Sequence, residues 1–196
     1  MAIEEVDKLK QLDFTKQAAF NYLTCERLYP NYVYFSDNFD FGNPDALRIA
    51  IDYLYLNIFE KGPDKNKIKN LAKEVDKNTP DTENFTTTFV SSALDACTAI
   101  GDSLNFLIQR NFLSIKNIST YATDTVSMYI QETESLDFSK DNDFKKKIDK
   151  HPLMQKEIAM QSGIISFLTN SKGFDFGDLQ ILLHLQENNK KSNLNL

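Results

Sequence analysis

The sequence predicts an all-α protein: a bundle of about six to seven helices in a single domain spanning residues 1–196. Three observations carry this. Apolar residues recur three and four positions apart over long stretches. No stretch keeps the period of two that a half-buried strand needs, and no glycine-rich turns separate short β runs. Stop and start signals fall where helices need them, as in Asn43-Pro44-Asp45 and Gly62-Pro63. A compact chain of 196 residues buries roughly 70% of its unfolded surface, so no metal or disulfide is needed to hold it.

Taken in order, residues 3–12 place Ile3, Val6, Leu9 and Leu12 at helical spacing, a turn or two of amphipathic helix. Asp13 caps the next helix, which carries Phe14, Ala18, Tyr22, Cys25 and Tyr29 on one stripe. Pro30 biases Tyr29 away from helical geometry, so this helix is expected to stop there. An aromatic-rich loop then leads through Phe35, Phe39 and Phe41 to Gly42. A helix opens at Pro44 and runs to about Glu60, with Leu47, Ala50, Ile51, Leu54 and Ile58 on its main stripe. Ile49, Tyr53 and Leu56 widen that stripe, which predicts a central position. Residues 65–77 read as a surface helix seated on Ile68, Leu71 and Val75. Residues 78–88 are a loop anchored by Phe85.

A second central helix spans about 88–110, with Val90, Leu94, Cys97, Gly101, Leu104 and Ile108 in line. Another follows over 114–133, using Ile115, Ile118, Ala122, Val126, Tyr129 and Ile130. After a polar loop, residues 144–150 are expected to form a helical turn. Pro152 starts a helix with Met154, Ile158, Gln161, Ile165 and Leu168 on one stripe, closed by Gly173. The last helix covers about 175–187, and the polar tail 188–196 is expected to fray.

Charge and composition narrow the function classes. The formal net charge is −6 and the pI about 5.0. The densest basic run, Lys145–Lys147, is short and lies among acids, so a nucleic-acid partner is not expected. No signal-peptide pattern opens the chain and no run of 18 apolar residues occurs, which points to a cytoplasmic protein that does not enter a membrane. Cys25 and Cys97 fall on apolar stripes, the usual setting of free buried thiols. With His151 and His184 they lack the close pairing of zinc ligands, so no metal is expected. Neither phosphate-binding glycine pattern is present, and no cofactor is implied.

Two constellations have chemical content. The first is a polar set: Glu26 on the flank of the first helix's apolar stripe, Arg27 on the far side of that helix, and Arg48, Asp52, Asp95, Glu157 and Gln161 on the later helices. If their helices pack together the acids need partners, and Arg27 and Arg48 are the obvious ones, because an unpaired buried charge costs several kcal/mol. They form either structural ion pairs that fix helix register or a pocket for a ligand or a partner's side chain. The second is aromatic: Tyr29, Tyr32, Phe35 and Phe41, with Phe39. These form either a mini-core or an exposed recognition surface.

The run Cys25-Glu26-Arg27-Leu28-Tyr29-Pro30-Asn31-Tyr32, then Phe41-Gly42, then Arg48 with Asp52, resembles the YjaG-like family of bacterial proteins, a domain of unknown function. Ala93-Leu94-Asp95-Ala96-Cys97 is similar to that family's second motif, and Pro152 with Glu157 and Gln161 to a third. The likeness covers about residues 5–170. It implies an all-helical fold and supplies no catalytic residues. The functional expectation is a non-enzymatic cytoplasmic interaction or regulatory protein with a protein partner, an immunity-type inhibitor of a basic toxin being one version. The alternatives are a small-molecule binder or enzyme using Glu26, Asp52 and Asp95 as acid or base, and a structural homo-oligomer.

Overall fold

A computed structural model describes residues 4–60, 62–187 and 192–196, and every regular element among them is helical. A 3₁₀ segment, Glu4–Gln11, precedes α1 (Phe14–Phe39), α2 (Pro44–Leu56) and α3 (Lys65–Lys77). A short 3₁₀ turn, Thr82–Asn84, leads into α4 (Phe89–Gln109) and α5 (Phe112–Thr133). The chain continues through α6 (Phe144–Lys150), α7 (Pro152–Asn170) and α8 (Phe176–Glu187). These eight α-helices exceed the expected six to seven because Phe144–Lys150 closes into a helix of its own, seated on Ile148.

The largest departure from expectation lies in α1. Its start is as expected: Asp13 Oδ1 accepts the Lys16 N–H at 3.1 Å. Its end is not, since the helix runs through Pro30 and on to Phe39. An internal proline removes one backbone donor and costs about 3 kcal/mol. Burial beyond it outweighs that cost. Tyr32 and Phe35 are both fully enclosed, each such side chain contributing roughly 1.5–3 kcal/mol. The Tyr32 hydroxyl also donates to the Asn78 carbonyl at 2.7 Å. The helix ends at Asp40 in the left-handed region, whose N–H reaches the Ser36 carbonyl.

This settles the aromatic segment. Tyr32 and Phe35 cannot belong to an exposed surface, and the residues expected in a loop are largely helical. Phe35 is ringed by Phe39, Phe41 and Phe85, with centroids 5.1, 5.9 and 4.9 Å away. Gly42 closes this mini-core. Its φ of 72° is in the left-handed region, and a Cβ there would stand 2.0 Å from the Tyr32 hydroxyl.

α1 packs most extensively on α4, and α4 on α5, so these three make the centre. α2 is shorter and more peripheral than expected. It stops at Asn57, whose side chain donates to the Tyr53 carbonyl at 2.8 Å. Ile49 and Leu56 on its outer face are exposed. A smaller apolar cluster joins Val126 and Ile130 of α5 to Ile148, Met154 and Leu194. Leu194 belongs to the tail that was expected to fray. Residues 188–191 lie outside the described residues, but Ser192, Asn193 and Leu194 are buried. Asn193 holds this segment down: its Nδ2 donates to the Ala122 carbonyl, and its Oδ1 accepts from Asn31 Nδ2, both at 2.9 Å.

Candidate functional site

Six of the seven polar residues nominated by sequence converge where α1 meets α2, α7 and α8. Arg48 of α2 lies across Glu26 of α1 in a two-pronged pair, with N–O distances of 2.9 and 2.7 Å. Its Nε donates to Asp52 one turn on, at 2.8 Å. The guanidinium carbon also stands 5.3 Å from the centroid of the Tyr29 ring. Burial works to lower the Arg48 pKa, but the hydrogen bonds and charge of Glu26, then Asp52, outweigh it and raise it. The cation is therefore permanent.

Arg27 leaves α1 in a different direction and meets α7. The sequence placed it on the far side of the helix from the apolar stripe. That far side faces α7 and not water, so Arg27 is 8% exposed and Glu157 is buried with it. Arg27 Nη2 donates to Glu157 Oε1 at 2.6 Å. Gln161 Nε2 donates to the same oxygen at 2.7 Å. Ser119 of α5 donates to Gln161 Oε1 at 2.6 Å, completing a buried relay across three helices. Arg27 Nε and Nη1 are buried without a hydrogen-bond partner.

Between these two arginines opens a cleft of about 570 Å³. Glu26, Arg27, Pro30, Arg48 and Asp52 line it, together with Tyr22, Tyr55, Gln180, Leu183 and Gln186. The last five were not nominated. Gln180 and Gln186 reach the site only through docking of α8, more than a hundred residues away in sequence: Gln180 Nε2 donates to the Tyr55 hydroxyl at 3.1 Å and Gln186 Nε2 to the Leu23 carbonyl at 3.2 Å. Tyr22 stood one helical turn before Glu26, which is the one signal that could have found it. Burial, then the charge and hydrogen bond of Glu26, push its phenol well above the usual range, so it stays a neutral hydroxyl.

Asp95 does not join this site. It lies between α4 and α5, accepting from the Thr125 hydroxyl at 2.7 Å. Burial raises its pKa to about 6; the Thr125 bond opposes this and Asp124 adds to it. Asp102 on the same helix accepts from Tyr121 and Asn117. Cys25 sits inside α1 rather than at its end, 3.2 Å from the Ser103 hydroxyl oxygen, and burial pushes its thiol up to about 12. Among the described residues no group of three or more His, Cys, Asp or Glu could hold a metal ion, and no helix is long and apolar enough to cross a membrane.

The cleft therefore presents fixed charges of both signs, two phenols and two amides. Glu26 is held by both prongs of Arg48, and Glu157 by Arg27 and Gln161. Such an arrangement orients a polar group without offering a loosely held base.

The chain is thus an all-α bundle with a charged cleft beside a buried Arg–Glu–Gln–Ser relay. The chain belongs to the family described as "Protein of unknown function (DUF416)", whose model matches residues 4–196. The match takes in the tail beyond residue 170, where the motif likeness had stopped. "Uncharacterized protein YjaG" of Escherichia coli K12 is 24% identical over 169 residues, covering 86% of this chain and 83% of the relative. The YjaG protein of Salmonella typhimurium is 26% identical over 98 residues, half of each chain. The crystal structure of a DUF416 family protein from Shewanella baltica OS155 superposes with a TM-score of 0.88 at 25% identity, over 97% of both chains. The resemblance to a YjaG-like bacterial family thus holds, as does the all-helical fold.

Proposed function

We propose that this protein is a non-enzymatic interaction module of the bacterial cytoplasm, and that the α1–α2–α8 cleft is where a protein partner docks. One observation carries the reading: a cleft of fixed, mutually paired charges sits between two helices that also expose large apolar side chains. On α2 these are Ile49 and Leu56; on α8, Phe176, Ile181 and Leu185. Polar recognition beside exposed apolar anchors is how protein interfaces are built. The net charge of −6 favours a partner of basic character. Two free, buried cysteines fit a reducing compartment.

The cleft volume of about 570 Å³ also lies in the range of small-molecule sites, which supports a second reading as a ligand-binding protein. One experiment separates the two. A photo-crosslinking residue replaces Leu56 or, as a control, Phe138, which is exposed and belongs to a different segment. In native cells the Leu56 probe captures a discrete protein, the Phe138 probe does not, and adding Arg48→Glu abolishes capture. If capture is the same from both positions and a metabolite raises the melting midpoint only with Arg48 intact, the ligand reading replaces the partner reading.

A further inference from the structure

Beside the cleft, and sharing Arg27 and Gln186 with it, lies a second, smaller cavity of about 30 Å³. Arg27, Lys156, Glu157, Met160, Gln186, Ser192 and Asn193 line it. We propose that this cavity binds a single small monovalent anion of halide size, held by Arg27 and Ser192, and that the anion fastens the C-terminal segment to α1 and α7.

Four observations converge. Arg27 is over nine-tenths buried, yet Nε and Nη1 have no acceptor. A buried charged donor without a partner is costly, so such a group calls for an occupant. Ser192 is buried too. Its Oγ accepts from the Leu194 and Leu196 N–H groups, at 3.0 and 3.2 Å, which leaves its own proton to donate elsewhere. Among the described residues the ionisable lining is Arg27, paired with Glu157, and Lys156, whose Nζ donates to Asn195 Oδ1 at 2.8 Å, one positive charge in excess. The volume admits one atom-sized guest and no polyatomic ligand of cofactor size. Gln186 Oε1 is also buried and unpaired, and it would suit a water molecule. The excess positive charge favours the anion over water. The proposal does not rest on the partner reading: although the cavity shares Arg27 and Gln186 with the cleft, its test reads ion-specific stability and anion density rather than partner capture.

The test is a bromide-for-gluconate exchange on the full chain at constant ionic strength. Bromide or chloride is expected to raise the melting midpoint by about 2–4 °C, the size of a bound-ion effect in a protein of this length. Arg27→Lys, which keeps the charge but removes the fork, loses that ion-specific shift, as does Ser192→Ala. Crystals grown in bromide show an anomalous peak within hydrogen-bond reach of Arg27. Should Arg27→Lys fail to fold, Ser192→Ala and the anomalous map still decide. Equal midpoints in bromide and gluconate, or only water in the cavity, overturn the proposal.

Discussion

On the α1 side of the bundle the carboxylates are met by arginines, whereas the side-chain hydrogen bonds reaching Asp95 and Asp102 come from Thr125, Tyr121 and Asn117, all neutral. Both sides bury acids between helices, but the consequences differ. Glu157 shares its charge with Arg27 at 2.6 Å, so removing either partner strands the other. Asp95 meets burial with one hydroxyl, and its pKa climbs to about 6. The first arrangement is a fixed dipole that orients neighbours. The second is a group that takes up a proton near neutrality. A carboxylate's role here is set by what its partner helix supplies, not by its depth.

The sharpest way to break that contrast is Glu157→Ala. It leaves Arg27 buried without its carboxylate partner and should cost about 3–5 kcal/mol in urea unfolding. The double replacement Arg27→Met with Glu157→Leu should recover most of that loss, because two apolar groups need no partner. Equal destabilisation by the single and double variants would mean that the relay to Gln161 and Ser119 matters more than the pair.

Asp95→Asn should act in the opposite direction. The folded pKa of about 6 lies above the ordinary 3.8, so the native state binds the proton more tightly than the unfolded chain. Stability from this group is complete at low pH and falls as pH rises from about 4 to 6. A shift of this size corresponds to on the order of 2–3 kcal/mol. The variant should therefore be more stable than the parent at pH 7.5, by up to about that amount, and no more stable at pH 4. A parent and variant with parallel stability curves across pH 4–8 would show that Asp95 keeps its charge.

The two sides were not equally legible in sequence. Helix starts at Pro44 and Pro152 are local chemistry and read correctly. Arg48 and Asp52 stand four apart, so their pairing follows from helical geometry. Pro30 misled because a local rule met a tertiary one: burial of Tyr32 and Phe35 keeps α1 helical past it. The periodicity of α1 identified one buried stripe and put Arg27 opposite it. A helix enclosed on both sides by α4 and α7 breaks the assumption that one face is wet. The tail misled for the same reason, since Asn193 looks solvated until it finds the Asn31 side chain and the Ala122 carbonyl across the fold. Gln180 and Gln186 depend on the docking of α8, which no spacing rule encodes, whereas Tyr55 stands seven residues after Arg48 on the same helix face. Asp95 was grouped with the arginines because acids on helix faces look alike before their neighbours are known.

The smallest effects test whether the outer arginine cluster is structural at all. Arg48 is 30% exposed and Asp52 62%, so solvent screens this pair far more than the Arg27–Glu157 pair. Arg48→Met should cost about 1 kcal/mol, mainly through the two-pronged contact with Glu26. Asp52→Asn should cost less than about 0.5 kcal/mol, and that loss should vanish in 0.5 M salt. If stability barely changes while partner or ligand binding is lost, the outer cluster is retained for recognition and the inner pair for the fold. If Asp52→Asn destabilises as much as Glu157→Ala, the division between an inner structural pair and an outer recognition pair does not hold.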